Sequence, residues 1–382
     1  MIDPAACSRV VQAYDSQGWH RTATDCDNAS ARWLASEMEA RGVEATIETF
    51  PFERVDDSPC TVVGPGWEVS GYVLPDSNLE MPNTELKGTI KAAADPGGLA
   101  LLRLDQHGRS DVLEATRREP WKAIIAAIEG TETGLTLLNS WHYDRPFGPP
   151  VIQVAAREWP RLEEARQAGS ELSISCGGTR ALTSALNVVA RIPGRDRALP
   201  PVAVLTPRSG WWNCAGERGG GIAIWLEVAA EVIRAEMLRD TVFVSTTGHE
   251  LGFMGICRYL EAHPADARAA AFWIHLGANI GAANSPTVVR ASDEPLLTLA
   301  QSADISIGAG SEWHVMQQPP GGEAQVVAGE GGSYISLVGK GFELFHSTED
   351  RWPRGIDPAA IARNGQFVFE CIRAFENRPL VQ

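Results

Sequence analysis

From residue 185 onward the chain alternates strand-like and helix-like segments, and nothing else in the sequence limits the fold as strongly. NVVARI and VAVLTP read as strands, GGGIAIWLEVAAEVIRAEML as an amphipathic helix, and TVFVSTTG as a buried strand. LGFMGICRYLEAHP reads as a helix and AAFWIHLGA as a strand. A Gly-rich turn region (320–332), a short strand GFELF, and a C-terminal helix from Asp357 to about Asn377 complete the run. Such alternation predicts an α/β fold, a mostly parallel mixed sheet with helices on both faces. Ligands of such sheets sit at the carboxyl ends of the strands.

The start of the chain fits the same unit. Residues 27–42, DNASARWLASEMEARG, open on an N-cap type and close on Gly42, and VEATIETFPF then reads as a strand. Between 57 and 183 the texture changes to Pro- and Gly-rich sequence with short β-like runs, GLALLRL, TGLTLLNS, VIQVAA and ELSISC. Helical stretches are expected at about 118–128 and 158–168. This segment reads as a mostly β domain inserted into the first, which gives residues 1–56 with 184–382 as one domain and 57–183 as the other. A length of 382 residues agrees with two cores rather than one.

A formal charge of −15 excludes a nucleic-acid partner and disfavours an anionic membrane surface. The N-terminus has no basic and apolar leader pattern, and no stretch of 18 apolar residues occurs. Seven scattered cysteines without a CxxC pair point to a reducing, cytoplasmic setting. A small-molecule substrate is the expected partner, and self-association into a homo-oligomer stays open.

Chemistry-bearing residues gather at four strand ends: TPRSGWW (206–212), AGERGGG (215–221), TGHELG (247–252) and FHSTED (345–350). Their order and spacing resemble the zinc aminopeptidase superfamily that includes leucyl aminopeptidases and glutaminyl cyclases. HELGFMGICRYL stands where that family writes Glu-Glu-x-Gly-x-x-Gly-Ser-x-x-x-Leu, and GEGGSYISLVGKGFELFHSTED resembles its closing loop. The inserted segment, with ELKGTIKAA and GPPVIQVAAREWPRL, resembles a protease-associated domain.

The resemblance implies a two-zinc site, and the sequence departs from it at several positions. The first histidine ligand reads Arg208 and its following aspartate Gly210; the bridging aspartate reads Glu217, followed by Arg218. The general-base glutamate reads His249, the adjacent ligand is kept as Glu250, the later ligand aspartate falls on Gly277 or its neighbour, and the closing histidine is kept as His346. One zinc has thus lost its ligands. The other implies a single site of Glu217, Glu250 and His346, with zinc the expected ion. The competing reading is a metal-free cleft in which Arg208 and Arg218 neutralise the two carboxylates.

His249 reads either as a base or as a hydrogen-bonded structural replacement. His275 points with Gly277 along its strand and either enters the cleft or is a satisfied buried histidine. Trp211, Trp212, Arg218, His275 and Asn279 are candidates for binding substrate, with Arg208 counted among the catalytic groups. Ser209 and Cys214 are nucleophile types without a recognisable partner order. The loop beginning at Trp141 is placed to overhang the cleft. The expected function is hydrolysis or a related reaction at an amide or other C–N bond of a small molecule. Its rival is a catalytically inactive homologue that binds or scaffolds.

Overall fold

The computed structural model describes residues 1–57, 60–79, 84–105, 111–130, 134–308, 312–315 and 321–376, with the backbone alone for Asp57 and 312–315. Among the described residues, fifteen strands form two sheets. The first holds β1 (Ala45–Asp57), β9 (Gly178–Ile192), β10 (Val202–Pro207), β11 (Thr241–Thr246), β12 (Phe272–Leu276), β13 (Thr287–Ala291), β14 (Glu312–Val315) and β15 (Tyr334–Gly339). Its order is β1-β9-β11-β10-β12-β15-β13-β14. The centre, β11-β10-β12-β15, is parallel, while β1, β9 and β13 pair antiparallel with their neighbours β9, β11 and β15. The sheet is therefore mixed around a parallel core.

The second sheet holds β2 (Cys60–Gly64), β3 (Trp67–Val73), β4 (Thr84–Thr89), β5 (Leu99–Leu104), β6 (Ala123–Ile128), β7 (Val151–Ala155) and β8 (Glu171–Cys176). All seven fall between β1 and β9, which pair over their whole shared length from Ala45↔Ala190 to Asp57↔Gly178.

Among the described residues ten helices accompany the sheets: α1 (Pro4–Asp15), α2 (Asp25–Ala40), α3 (Asp111–Arg117), α4 (Trp159–Ala168), α5 (Gly220–Ala235), α6 (Met254–Ala262), α7 (Asp266–Ala269), α8 (Glu294–Ile307), α9 (Glu323–Gly329) and α10 (Pro358–Glu376). Strand β10 shows how the first sheet is sandwiched. Val202 and Val204 enter the core shared with α1, α2, α5, α8 and α10, whereas Ala203 and Leu205 enter the core shared with α6, α7 and α9. Period-two alternation, buried on both sides, gives the continuous apolar run read from the sequence. Helix α5 starts hard against the turn that follows β12, because a Cβ on Gly220 would collide with the Ile280 carbonyl. No described helix is long and apolar enough to cross a membrane.

Several expectations are corrected. The stretch 118–128 is not helical; its second half is β6, all six residues buried, and a fully buried strand has no polar side to reveal its period. The described residues of TGLTLLNS make a single bridge, Thr136 to Ser347, and no named strand. GFELF is a turn held by Phe345 N–H on the Phe342 carbonyl and Ser347 N–H on the Leu344 carbonyl; the strand lies just before it, as β15. Asp27 is not a helix N-cap. Thr24 takes that position, its hydroxyl accepting from Asp27 N–H, and Asp27 is left in the first turn with its side chain directed inward.

Candidate active site

The carboxyl ends of β10, β11 and β12 carry Arg208, His249 with Glu250, and His275 with Asn279, and the turn after β15 carries His346. All of these side chains are buried. Arg208 is the first correction. Its guanidinium turns away from the carboxylates and pairs with Asp27, Nη2 lying 2.8 Å from Oδ1, and donates to the Leu186 carbonyl at 3.0 Å. The other Asp27 oxygen accepts from Ala23 N–H and from the Thr247 hydroxyl. Asp27 had no sequence signal beyond its helix-start residue type.

Arg218 sits where Arg208 was expected. It lies in a π-helical turn (Ala215–Gly219) that runs into α5. Its Nη2 is 2.7 Å from Glu217 Oε1 and 2.8 Å from Glu250 Oε1, so one nitrogen bridges both acids. Its Nε donates to the Ser209 carbonyl at 2.9 Å. Nη1 is buried without a protein partner. Burial alone would weaken the cation, but Glu217, Glu250 and Glu323 outweigh it and raise the guanidinium pKa. Burial likewise pushes the Glu217 carboxyl up, and the charges of Arg218 and His346 overcome it and hold the group ionised, below its usual range.

The remaining Glu250 oxygen accepts from the Ser209 hydroxyl at 2.8 Å, and that hydroxyl oxygen accepts in turn from Gly248 N–H. Ser209 is thus a tie between the ends of β10 and β11. His346 adopts a left-handed backbone, φ 58°, and its Nδ1–H donates to the Leu137 carbonyl at 2.8 Å. That leaves Nε2 facing Glu217 Oε1 at 3.3 Å.

A second cluster adjoins the first. His249 Nδ1 lies 2.8 Å from Glu323 Oε1, and His275 Nε2 lies 3.1 Å from Glu323 Oε2. His275 Nδ1 is 2.9 Å from the Ser336 hydroxyl. Burial acts to raise the Glu323 pKa, but the two imidazoles prevail and lower it. Glu323 opens α9, inside the stretch read from sequence as Gly-rich turn, and its role had no signal there. Gly322 before it has φ 75°, and a Cβ there would lie 2.8 Å from His275 Cε1, so any side chain would break the cluster.

The positions of the two missing aspartates are filled. A Cβ on Gly210 would collide with Cys214 Sγ, and one on Gly277 would lie 2.9 Å from Val338 Cγ2 and 3.0 Å from His275 Cε1. Trp212 donates Nε1–H to the His346 carbonyl at 2.9 Å and meets Trp19 and Tyr72 edge-on, which makes it a wall of the His346 turn. Trp211 lines a cavity of about 30 Å³ with Glu250, Arg21, Arg54 and Tyr143, the space of roughly one water. Asn279 reaches the site through its backbone, N–H to the Glu217 carbonyl at 3.0 Å. The loop from Trp141 does lie over the site: Ser140 N–H donates to the Glu250 carbonyl, and Trp141 meets Phe253, which meets the His249 ring.

Asp350 was not foreseen either. Its two oxygens accept from Gly216 N–H at 2.6 Å and Glu217 N–H at 2.9 Å, fixing the turn that presents Glu217. Burial raises its pKa, those two donors oppose this, the charges of Glu217 and Asp15 add to the rise, and the balance lies at about 8. Asp350→Ala orphans both donors and is expected to cost about 1–3 kcal/mol for each, read from urea unfolding at pH 5. Since the folded-state pKa lies above the ordinary 3.8, protonation favours the fold. That contribution is complete below about pH 4 and fades as pH rises toward 8, so the wild-type advantage over the variant shrinks across this window.

No protein-family model matches the chain, and no curated protein does. Solved structures do. The zinc aminopeptidase of Bacillus subtilis matches with TM-score 0.81 at 15% identity, covering 100% of this chain and 97% of that one. The M28 peptidase precursor of Shewanella amazonensis matches with TM-score 0.82 at 17% identity, covering 99% and 96%. The fold is that of zinc aminopeptidases and glutaminyl cyclases. A glutaminyl cyclase of Bacteroides thetaiotaomicron, bound to N-acetylhistamine, matches with TM-score 0.57 at 12% identity over 99% of both chains.

The residues present do not fit the two-zinc site that the sequence resemblance implies. Gly210 and Gly277 offer no ligand, and the Arg218 guanidinium stands between Glu217 and Glu250. Among the described residues one group, Cys214, Glu217 and Asp350, brings three ligand-type atoms within 4.8 Å of one another. It contains no imidazole, its Asp350 oxygens are committed to backbone donors, and burial, followed by Glu217 and Asp350, pushes the Cys214 thiol well above its ordinary range. The set Glu217, Glu250 and His346 does not form such a group.

Proposed function

We propose that this protein is a metal-independent acid–base enzyme acting at the amide or related C–N bond of a small molecule. The observation that carries this reading is the His249–Glu323 couple beside Arg218. Glu323 holds Nδ1–H of His249, which leaves Nε2 to take a proton. Arg218 is fixed by two carboxylates and a carbonyl, and its unpartnered Nη1 is aimed to donate to a substrate oxygen.

For hydrolysis, His249 Nε2 removes a proton from water as its oxygen attacks the carbonyl carbon. The negative charge that develops on the carbonyl oxygen is met by Arg218 Nη1–H. The imidazolium then returns the proton to the departing nitrogen as the C–N bond breaks. Glu323 balances the imidazolium charge throughout, and a cyclisation would use the same groups with an internal amine as nucleophile.

The test is a panel of N-acyl amino acids, lactams and aromatic amides, assayed with and without chelator. Turnover indifferent to chelator supports the proposal, and turnover that requires added zinc, manganese or cobalt sinks it. One observation favours a binding module instead: the 30 Å³ cavity beside Glu250 admits little more than water. A panel with no turnover under any condition would put that reading first.

A further inference from the structure

Two buried donors at one cavity have nothing to donate to. Trp211 and Thr22 are 3% and 7% exposed, and neither the indole N–H nor the hydroxyl has a hydrogen-bond partner among the described residues. Both residues line the cavity of about 30 Å³ beside Glu250, where the segment after α1, the end of β1, the segment after β10 and Tyr143 meet. Two guanidiniums line the same space. Arg54 is fixed there: its Nε and Nη2 hold both Asp56 oxygens, and its Nη1 donates to the Ala23 carbonyl at 2.9 Å. Arg21 lies over the Tyr72 ring, 4.9 Å from its centroid. We propose that this cavity is a binding site for one monovalent anion of halide size, chloride in the ordinary case, held by Trp211 Nε1–H and Thr22 Oγ1–H.

The class of ligand follows from what the walls lack. An indole nitrogen only donates, so its partner must bring lone pairs. A water would satisfy Trp211, but it brings two hydrogens of its own, and the side-chain acceptors on the walls are already engaged. Arg54 holds the Asp56 carboxylate, and Arg218 and Ser209 hold that of Glu250. The Tyr143 hydroxyl accepts from Val55 N–H and donates to the Glu53 carbonyl. An anion needs donors alone, and the hydrogen bonds it accepts are of the stronger, charge-assisted kind. Size narrows the class further, since about 30 Å³ takes one small ion and excludes sulfate or phosphate. Such an ion ties the segment after α1 to the one that carries Trp212, whose indole holds the His346 carbonyl. Its part is structural.

The readout is ion binding, so the inference stands or falls without any turnover. Wild type, Trp211→Phe and Thr22→Val are melted across a chloride titration at constant ionic strength, with gluconate, too large for the cavity, as the replacement anion. Wild type is expected to gain about 2–5 °C at chloride a hundredfold above Kd. Each variant removes one donor and leaves an apolar side chain of similar size. Each should weaken the ion about 10- to 100-fold, the scale of one hydrogen bond to a charged group. Wild-type crystals soaked in bromide should show an anomalous peak within hydrogen-bonding reach of Trp211 Nε1. Should either variant fail to fold, the other and the bromide peak still decide the matter. Equal melting of wild type in chloride and gluconate would overturn the proposal. So would a chloride response undiminished in the variants, or a bromide-soaked crystal with water alone in the cavity.

Discussion

His249→Gln is expected to cut turnover of the accepted substrate by about 100- to 10,000-fold at pH 7 while leaving substrate binding nearly intact, because general-base contributions run at that scale. Glutamine is the better test than alanine. Glu323 is fully buried and rests on only two imidazoles, His249 and His275. Alanine at 249 would take away one of them, adding about 1–3 kcal/mol of instability that has nothing to do with proton transfer. The sequence leaves a hydrogen-bonded structural role open for His249 beside the catalytic one, and the Glu323 contact supplies it. A glutamine amide still donates to Glu323 but cannot accept a proton near neutral pH. If His249→Gln retains wild-type turnover, the base lies elsewhere and the mechanism above is wrong.

Asp27→Ala should lower the unfolding free energy by about 3–5 kcal/mol, the usual result of stripping one partner from a buried ion pair. Neither Asp27 nor Arg208 has any exposed side-chain surface. Asp27 also accepts from Ala23 N–H and the Thr247 hydroxyl, so the same change leaves two donors unsatisfied. Pairing the change with Arg208→Met should recover most of the loss, since an apolar replacement of both members removes the stranded charge. Urea unfolding of the two single variants and the double variant gives the coupling directly. Single variants that each lose less than about 1 kcal/mol would show that the pair contributes little.

The parallel centre of the first sheet was legible because β10, β11 and β12 are apolar runs separated by a helix and by turn residues. Arg218, Glu250, His249 and His346 were legible as a constellation because three strand ends and one turn of a parallel core converge. What the sequence did not carry was pairing. Arg208 and Arg218 are equivalent as residue types, and only the π-helical turn before α5 decides which one meets the carboxylates. Asp27, Asp350 and Glu323 lie 181, 133 and 74 residues from the groups they hold. Each looked like an ordinary acid in a helix start or loop. GFELF misled for a local reason: its apolar residues fill a small cluster with Ala282 rather than a sheet.

The long ladder of β1 and β9 gives the site a second owner. The chain leaves the first sheet at Asp57 and returns at Gly178, residues that face each other, so the stretch between them is joined covalently to the first sheet only through this two-stranded stem. Two main-chain groups of that stretch reach back into the site: the Leu137 carbonyl sets the tautomer of His346, and Ser140 N–H holds the Glu250 carbonyl. The ring of His346 and the backbone of Glu250 are therefore both fastened to the chain between β1 and β9, and an inner-sheet site depends on main chain that belongs to the other half of the molecule.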